Sequence, residues 1–162
     1  MLELLRKRRE DEDRGFTLIE LMVVVLIIAI LIAIAIPTFL GARKRAQDRA
    51  IQSNLRNALT AEKTFYTDSQ AYSQDATSLK DIEPSLSFVT SSADLVAGGK
   101  TVLVQTGTAN GTTEAMICLT AKSASGTTFG LKDIAVGTNA GTYFYKDAPT
   151  CTDTTDANTA SW

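Results

Sequence analysis

The sequence contains no histidine. That excludes Ser-His and Cys-His nucleophilic pairs and any histidine-bearing zinc site. Cysteine is almost as scarce: there are two, Cys118 and Cys151, 33 positions apart. They are too few and too far apart for a zinc cluster. They fit one disulfide in an oxidising, extracytoplasmic compartment, the alternative being two unrelated buried thiols. A bridge would close a loop of about 34 residues and contribute on the order of 3–4 kcal/mol in the chain-entropy account. A strong charge imbalance is missing too. The net charge is −2, so no global basic field argues for nucleic acid. No Gly-rich phosphate loop, paired-carboxylate site, nucleophile elbow or cofactor box is visible, so the sequence points neither to an enzyme nor to a cofactor.

The absence with the largest consequence is local. Phe16 to Leu40 reads FTLIELMVVVLIIAILIAIAIPTFL, and from Leu21 to Ile36 every residue is Leu, Met, Val, Ile or Ala. The stretch holds one formal charge, Glu20, and one proline, Pro37. As a helix it would be roughly 37 Å long, enough to cross a hydrocarbon core of about 30 Å. A helix that is apolar all round has to be buried in lipid or against other helices.

Residues 1–15 read MLELLRKRREDEDRG, with five basic and five acidic residues, so this leader is neutral yet too polar for lipid. No small-residue A-x-A site follows the apolar run, whereas a single glycine, Gly15, stands at the junction before it. Cleavage at that glycine would keep the apolar segment and discard the leader; the alternative is an uncleaved signal anchor. Arg43, Lys44, Arg45 and Arg49 crowd the far end, which leaves the positive-inside rule nearly balanced. The cysteines break the tie and place the C-terminal part outside the cytoplasm.

Gly15-Phe16-Thr17-Leu18-Ile19-Glu20, the apolar run and Ala35-Ile36-Pro37 together resemble the class III signal of type IV pilins and related pseudopilins, closely over residues 14–40. The resemblance implies cleavage after Gly15 by an aspartic prepilin peptidase on the cytoplasmic side, and N-methylation of the new terminus at Phe16. It implies a structural role: a homopolymer of identical subunits that waits in the inner membrane as a single-pass precursor. An assembly platform and motor then draw it into an extracellular filament for adhesion, twitching motility or DNA uptake. The nearest rival is a pseudopilin of a type II secretion system. A membrane-anchored extracytoplasmic binding domain or enzyme is more distant. One departure is Ala29, where the family usually has Gly. Alanine is the better helix former by about 1 kcal/mol, which disfavours melting of the helix ahead of Pro37.

Glu20 needs an explanation, because an unpaired carboxylate in an apolar helix costs about 2.5–3.5 kcal/mol on insertion scales. Cleavage would create an α-ammonium on Phe16, roughly 6 Å away along a helix. In a bundle of identical stems the ammonium of one copy can meet Glu20 of the next, neutralising both and fixing axial register. The alternative is a carboxylate that solvates itself at the membrane surface. Pro37 marks either a kink or a plain helix end at Ile36.

The remainder predicts an α+β fold. Residues 41–66 continue the helix amphipathically, with Ile51, Leu55, Ala58, Ala61, Phe65 and Tyr66 near helical spacing. Residues 67–97 read as a connector with a short helical or extended piece near Leu79–Ile82, and the resemblance implies a variable segment on the outside of filaments. Residues 98–162 carry about four antiparallel strands, around Thr101–Gln105, Ala115–Leu119, Thr128–Leu131 and Thr142–Tyr145. Turn signals separate them at Gly98-Gly99, Asn110-Gly111, Ser125-Gly126 and Asn139–Gly141. Cys118 falls on the second of these strands and Cys151 in the tail, matching the disulfide-bounded loop that the resemblance implies. Asn110-Gly111-Thr112 is a formal glycosylation sequon that also suits a hairpin turn. Asp147, Asp153 and Asp156 have calcium-compatible oxygens but no recognised loop spacing, so a solvated tail is expected and no metal.

Overall fold

The computed structural model describes residues 16–109, 112–149, 151 and 162. The leader, the sequon turn at Asn110-Gly111, and Asp153 and Asp156 lie outside the described residues. The chain divides into two compact units, one ending at Ala42 and the other spanning Arg43–Trp162. Helix α1, Leu18–Ser69, contributes to both.

In the first unit every large apolar side chain from Leu18 to Leu40 is exposed, Val23 and Val24 at 48% and Leu18 at 73%. Mean hydropathy reaches 3.3, so α1 is long and apolar enough to cross a membrane. The helix runs through Ala29 and also through Pro37, so it does not end at Ile36. Proline has no N–H to give the carbonyl four residues back. Next to it, Thr38 Oγ1 donates to Ile34 O at 3.1 Å.

In the second unit the polar/apolar period of α1 decides which face is covered. Ile51, Leu55, Ala58, Ala61 and Glu62 are buried, while Arg49, Arg56 and Lys63 are exposed. The helix ends where Gln70 takes a left-handed backbone, φ 57°, and its N–H reaches Tyr66 O at 2.8 Å. Helix α2, Ala76–Ile82, follows, capped by the Asp75 carboxylate, which accepts from the N–H groups of Thr77 and Ser78. The Ser78 hydroxyl and these amides hold the Asp75 carboxyl below its ordinary range.

Five strands form one sheet in the order β1 (Ser87–Val89), β2 (Thr101–Ala109), β3 (Thr112–Lys122), β4 (Thr128–Ile134), β5 (Gly141–Tyr145). The four anticipated strands are present and antiparallel in sequence order, each longer than its sequence signal. The fifth, β1, lies in the connector and pairs parallel with β2. The β3–β4 turn is closed by Ser123 N–H to Thr127 O at 2.8 Å, with Gly126 at φ 90°.

Alternation assigns the two faces. Val102, Val104, Ile117, Leu119, Ala121, Phe129 and Leu131 pack with Ile51, Leu55, Ala58 and Ala61 of α1 in the main core. The opposite face carries Leu103, Gly107, Met116, Cys118, Gly130 and Lys132. There Cys118 and Cys151 are joined, with Cα atoms 5.8 Å apart. Asp147, Pro149 and Cys151 lie over this face in a trough that two glycines create. A Cβ on Gly130 would sit 2.2 Å from Pro149 Cδ, and one on Gly107 only 2.1 Å from Cys151 O. Cys118 stands diagonally between them on β3. Trp162 packs edge-on to Phe129 and Phe144, and its indole N–H is shared between Tyr145 O at 2.8 Å and Gly130 O at 3.2 Å.

Candidate functional site

The start of α1 is closed by its own side chains. Thr17 stands just before the first helical residue, Leu18, and Glu20 lies in the first turn. Thr17 N–H donates to Glu20 Oε2 at 2.9 Å, and the Thr17 hydroxyl donates to the same oxygen at 2.8 Å. Glu20 N–H in turn donates to Thr17 Oγ1 at 3.2 Å. This is a reciprocal capping box, in which two backbone donors of the first turn are satisfied at once. Such a cap contributes about 1 kcal/mol. Both Thr17 bonds land on Oε2, so the cap makes no use of Oε1. Phe16 precedes the cap and is 83% exposed. Beyond the cap every side chain from Leu21 to Ile36 is apolar and exposed.

A second polar cluster lies inside the other unit. Asp133 on β4 is nearly buried, at 4% exposure, and three elements converge on it. It accepts from the Tyr72 hydroxyl and the Thr142 hydroxyl, and Lys63 Nζ lies 3.1 Å away. Glu62, one residue before Lys63, is fully buried; its Oε2 accepts from Ser73 N–H at 3.2 Å. Burial pushes the Glu62 carboxyl up to about 8, against the weaker opposing pull of the Ser73 amide. Burial, then the bond to Asp133, push the Tyr72 phenol well above its ordinary range.

The family described as the prokaryotic N-terminal methylation motif matches residues 12–36. The chain carries a prokaryotic N-terminal methylation motif. That motif spans the cap and most of the exposed apolar stretch. Two curated proteins are similar to this chain. The type IV major pilin protein PilA of Myxococcus xanthus is 44% identical over 69 residues, 43% of this chain and 31% of that protein. The type IV wide pilus major component PilA4 of Thermus thermophilus is 33% identical over 66 residues, 41% of this chain and 50% of that protein. The matched stretch therefore covers a third to a half of these relatives' own length.

Of the residues singled out in the sequence, Phe16 and Glu20 fall within the matched residues 12–36, at the cap, and Pro37 stands one residue beyond them, inside α1. Gly15 lies outside the described residues. Cys118 and Cys151 belong to the sheet unit. Two features were missed. Thr17-x-x-Glu20 is a legible capping-box signature, hidden because the glutamate was weighed only as a charge in an oily run. Glu62 and Asp133 carry no such local signature; what defines them is partners 11 and 61 residues distant. Among the described residues no group of three or more acidic, Cys or His side chains is placed to hold a metal ion.

Proposed function

We propose that the protein is the precursor of the structural subunit of a type IV pilus filament, and not an enzyme. It is processed after Gly15, N-methylated at Phe16 and polymerised through the apolar half of α1. The observation that carries this reading is a fully exposed apolar helical run with one carboxylate in its first turn. Such a surface is stable only in lipid or against other apolar helices. The relatives' names, which are those of pilus components, favour a pilin over a secretion-system pseudopilin. On this reading the precursor rests in the inner membrane with its disulfide-bonded unit outside. Prepilin peptidase, the assembly platform and its motor are its partners.

Glu20 then has two tasks. Oε2 closes its own helix, and the carboxylate charge meets the Phe16 ammonium of the adjacent copy. Two substitutions separate these tasks. Glu20→Gln keeps an acceptor for Thr17 and removes the charge, while Glu20→Ala removes both. Cleavage after Gly15, read by mass spectrometry, is expected in both variants, and sheared surface filaments in neither. Normal filament yield from Glu20→Gln would show that the cap alone matters and would overturn the charge pairing. A mature protein that still begins at Met1 would overturn the pilin reading itself.

A further inference from the structure

Segment 70–75 leads from α1 into α2; Tyr72 anchors it in the main core, 4.7 Å from the Tyr66 ring, and a few polar contacts hold the rest. Gln70 opens it in the left-handed region. The Tyr72 hydroxyl donates to Asp133, and Gln74 Nε2 donates to Thr106 Oγ1 at 2.6 Å. Ser73 N–H donates to Glu62 Oε2.

Of these anchors Glu62 is chemically the odd one. It occupies a core position of α1, one residue beyond Ala61, and is fully buried. Its second oxygen, Oε1, is buried with no hydrogen-bond partner among the described residues. Tyr72 in the segment interacts with Glu62, and with Tyr66 on α1 and Asp133 on β4. Lys63 is the neighbour of Glu62 in sequence, but that ammonium is directed to Asp133. A negative charge on Glu62 would therefore be held away from water, and one amide cannot replace the lost hydration.

We propose that Glu62 is a proton-controlled latch: in its neutral form it holds segment 70–75 against the sheet unit, and its ionisation favours release of that segment. The sign follows from linkage. In the closed state the acid stays neutral until about pH 8. In an open, hydrated state it ionises near its ordinary value of 4.5. The closed state is therefore favoured fully below that lower value. Its advantage falls as pH rises between the two and levels off above the higher one. The inference rests on the sheet unit alone and does not require the filament reading.

Hydrogen exchange of the amides of residues 72–75 tests it, in the full chain in detergent micelles, with Glu62→Gln as the non-ionising control. Protection in the wild type, relative to the control, is expected to fall by up to about tenfold per pH unit inside the window and then stay flat. Parallel pH profiles for the two proteins overturn the latch. If Glu62→Gln does not fold, carbon NMR of the wild-type Glu62 carboxyl decides. A titration midpoint close to 8 supports the proposal, and one near the ordinary 4.5 overturns it.

Discussion

Reducing the Cys118–Cys151 bridge perturbs the sheet unit without changing a single side chain's volume. The two cysteines are 33 positions apart, and cutting their link frees that loop in the unfolded chain. For a loop of about 34 residues the chain-entropy relation gives roughly 3–4 kcal/mol of lost stability. The native geometry argues against a larger loss. Pro149 is buried and Cys151 O lies against Gly107, so packing in the trough survives reduction. For a unit of this size each kcal/mol moves the unfolding midpoint by about 3–5 °C, so a drop of roughly 10–18 °C is expected. The sequence supplies its own reporter, since Trp162 is the one tryptophan and packs against Phe129 and Phe144. The assay is thermal unfolding of the full chain in detergent, with and without a phosphine reductant, followed by Trp162 emission and by strand circular dichroism. Reduction also loosens the tether of Trp162 itself, so the two signals separate local release from global unfolding. A midpoint by circular dichroism that moves less than about 3 °C would refute the reasoning, because the bridge would then restrain only the tail.

Other perturbations bear on the same core. Leu55 is fully buried on the sheet-facing side of α1, and Leu55→Ala is expected to cost about 3 kcal/mol in urea unfolding. Asp133→Ala strands the Tyr72 and Thr142 hydroxyls together and should cost about 3 kcal/mol; Asp133→Asn, which keeps an acceptor for one hydroxyl and offers the other an N–H, should cost less. Gly130→Ala places a methyl group where Pro149 and Asp147 already stand, so circular dichroism should show a loss of about 1–3 kcal/mol. Gly126→Ala meets no neighbouring atom, and its smaller cost, about 1 kcal/mol, comes from φ 90° alone.

Much of the fold was legible because its signals are local. The apolar run announces a helix by composition. The strands announce themselves by β-branched and aromatic residues between glycine turns, and Ser125-Gly126 sits at the turn where it was anticipated. What escaped depends on distant partners. Lys132-Asp133 stands just past the strand signal that ends at Leu131, yet both are buried, one on each face. Asp133 is covered on the core side of the sheet by Tyr72 and Lys63, while Lys132, on the trough side, lies 5.7 Å from the Tyr145 ring. Strand β1 has three residues and gains its identity only from β2. Glu62 was passed over because helical spacing identifies the covered face without saying that an acid on it will find an amide to bond. At the candidate site Thr17 and Glu20 were in plain view. The sequence supported a charge argument there and an equally local capping argument, and only the geometry brought out the second.

The placement of that cap bears on processing. Because the first helical residue is Leu18 and Thr17 already seals the end, Phe16 stands clear of the helical ladder. On the proposed reading, an enzyme that cuts before Phe16 and then alkylates the freed nitrogen has no turn to unravel from Phe16 onward. The stem can be matured while it remains fully wound.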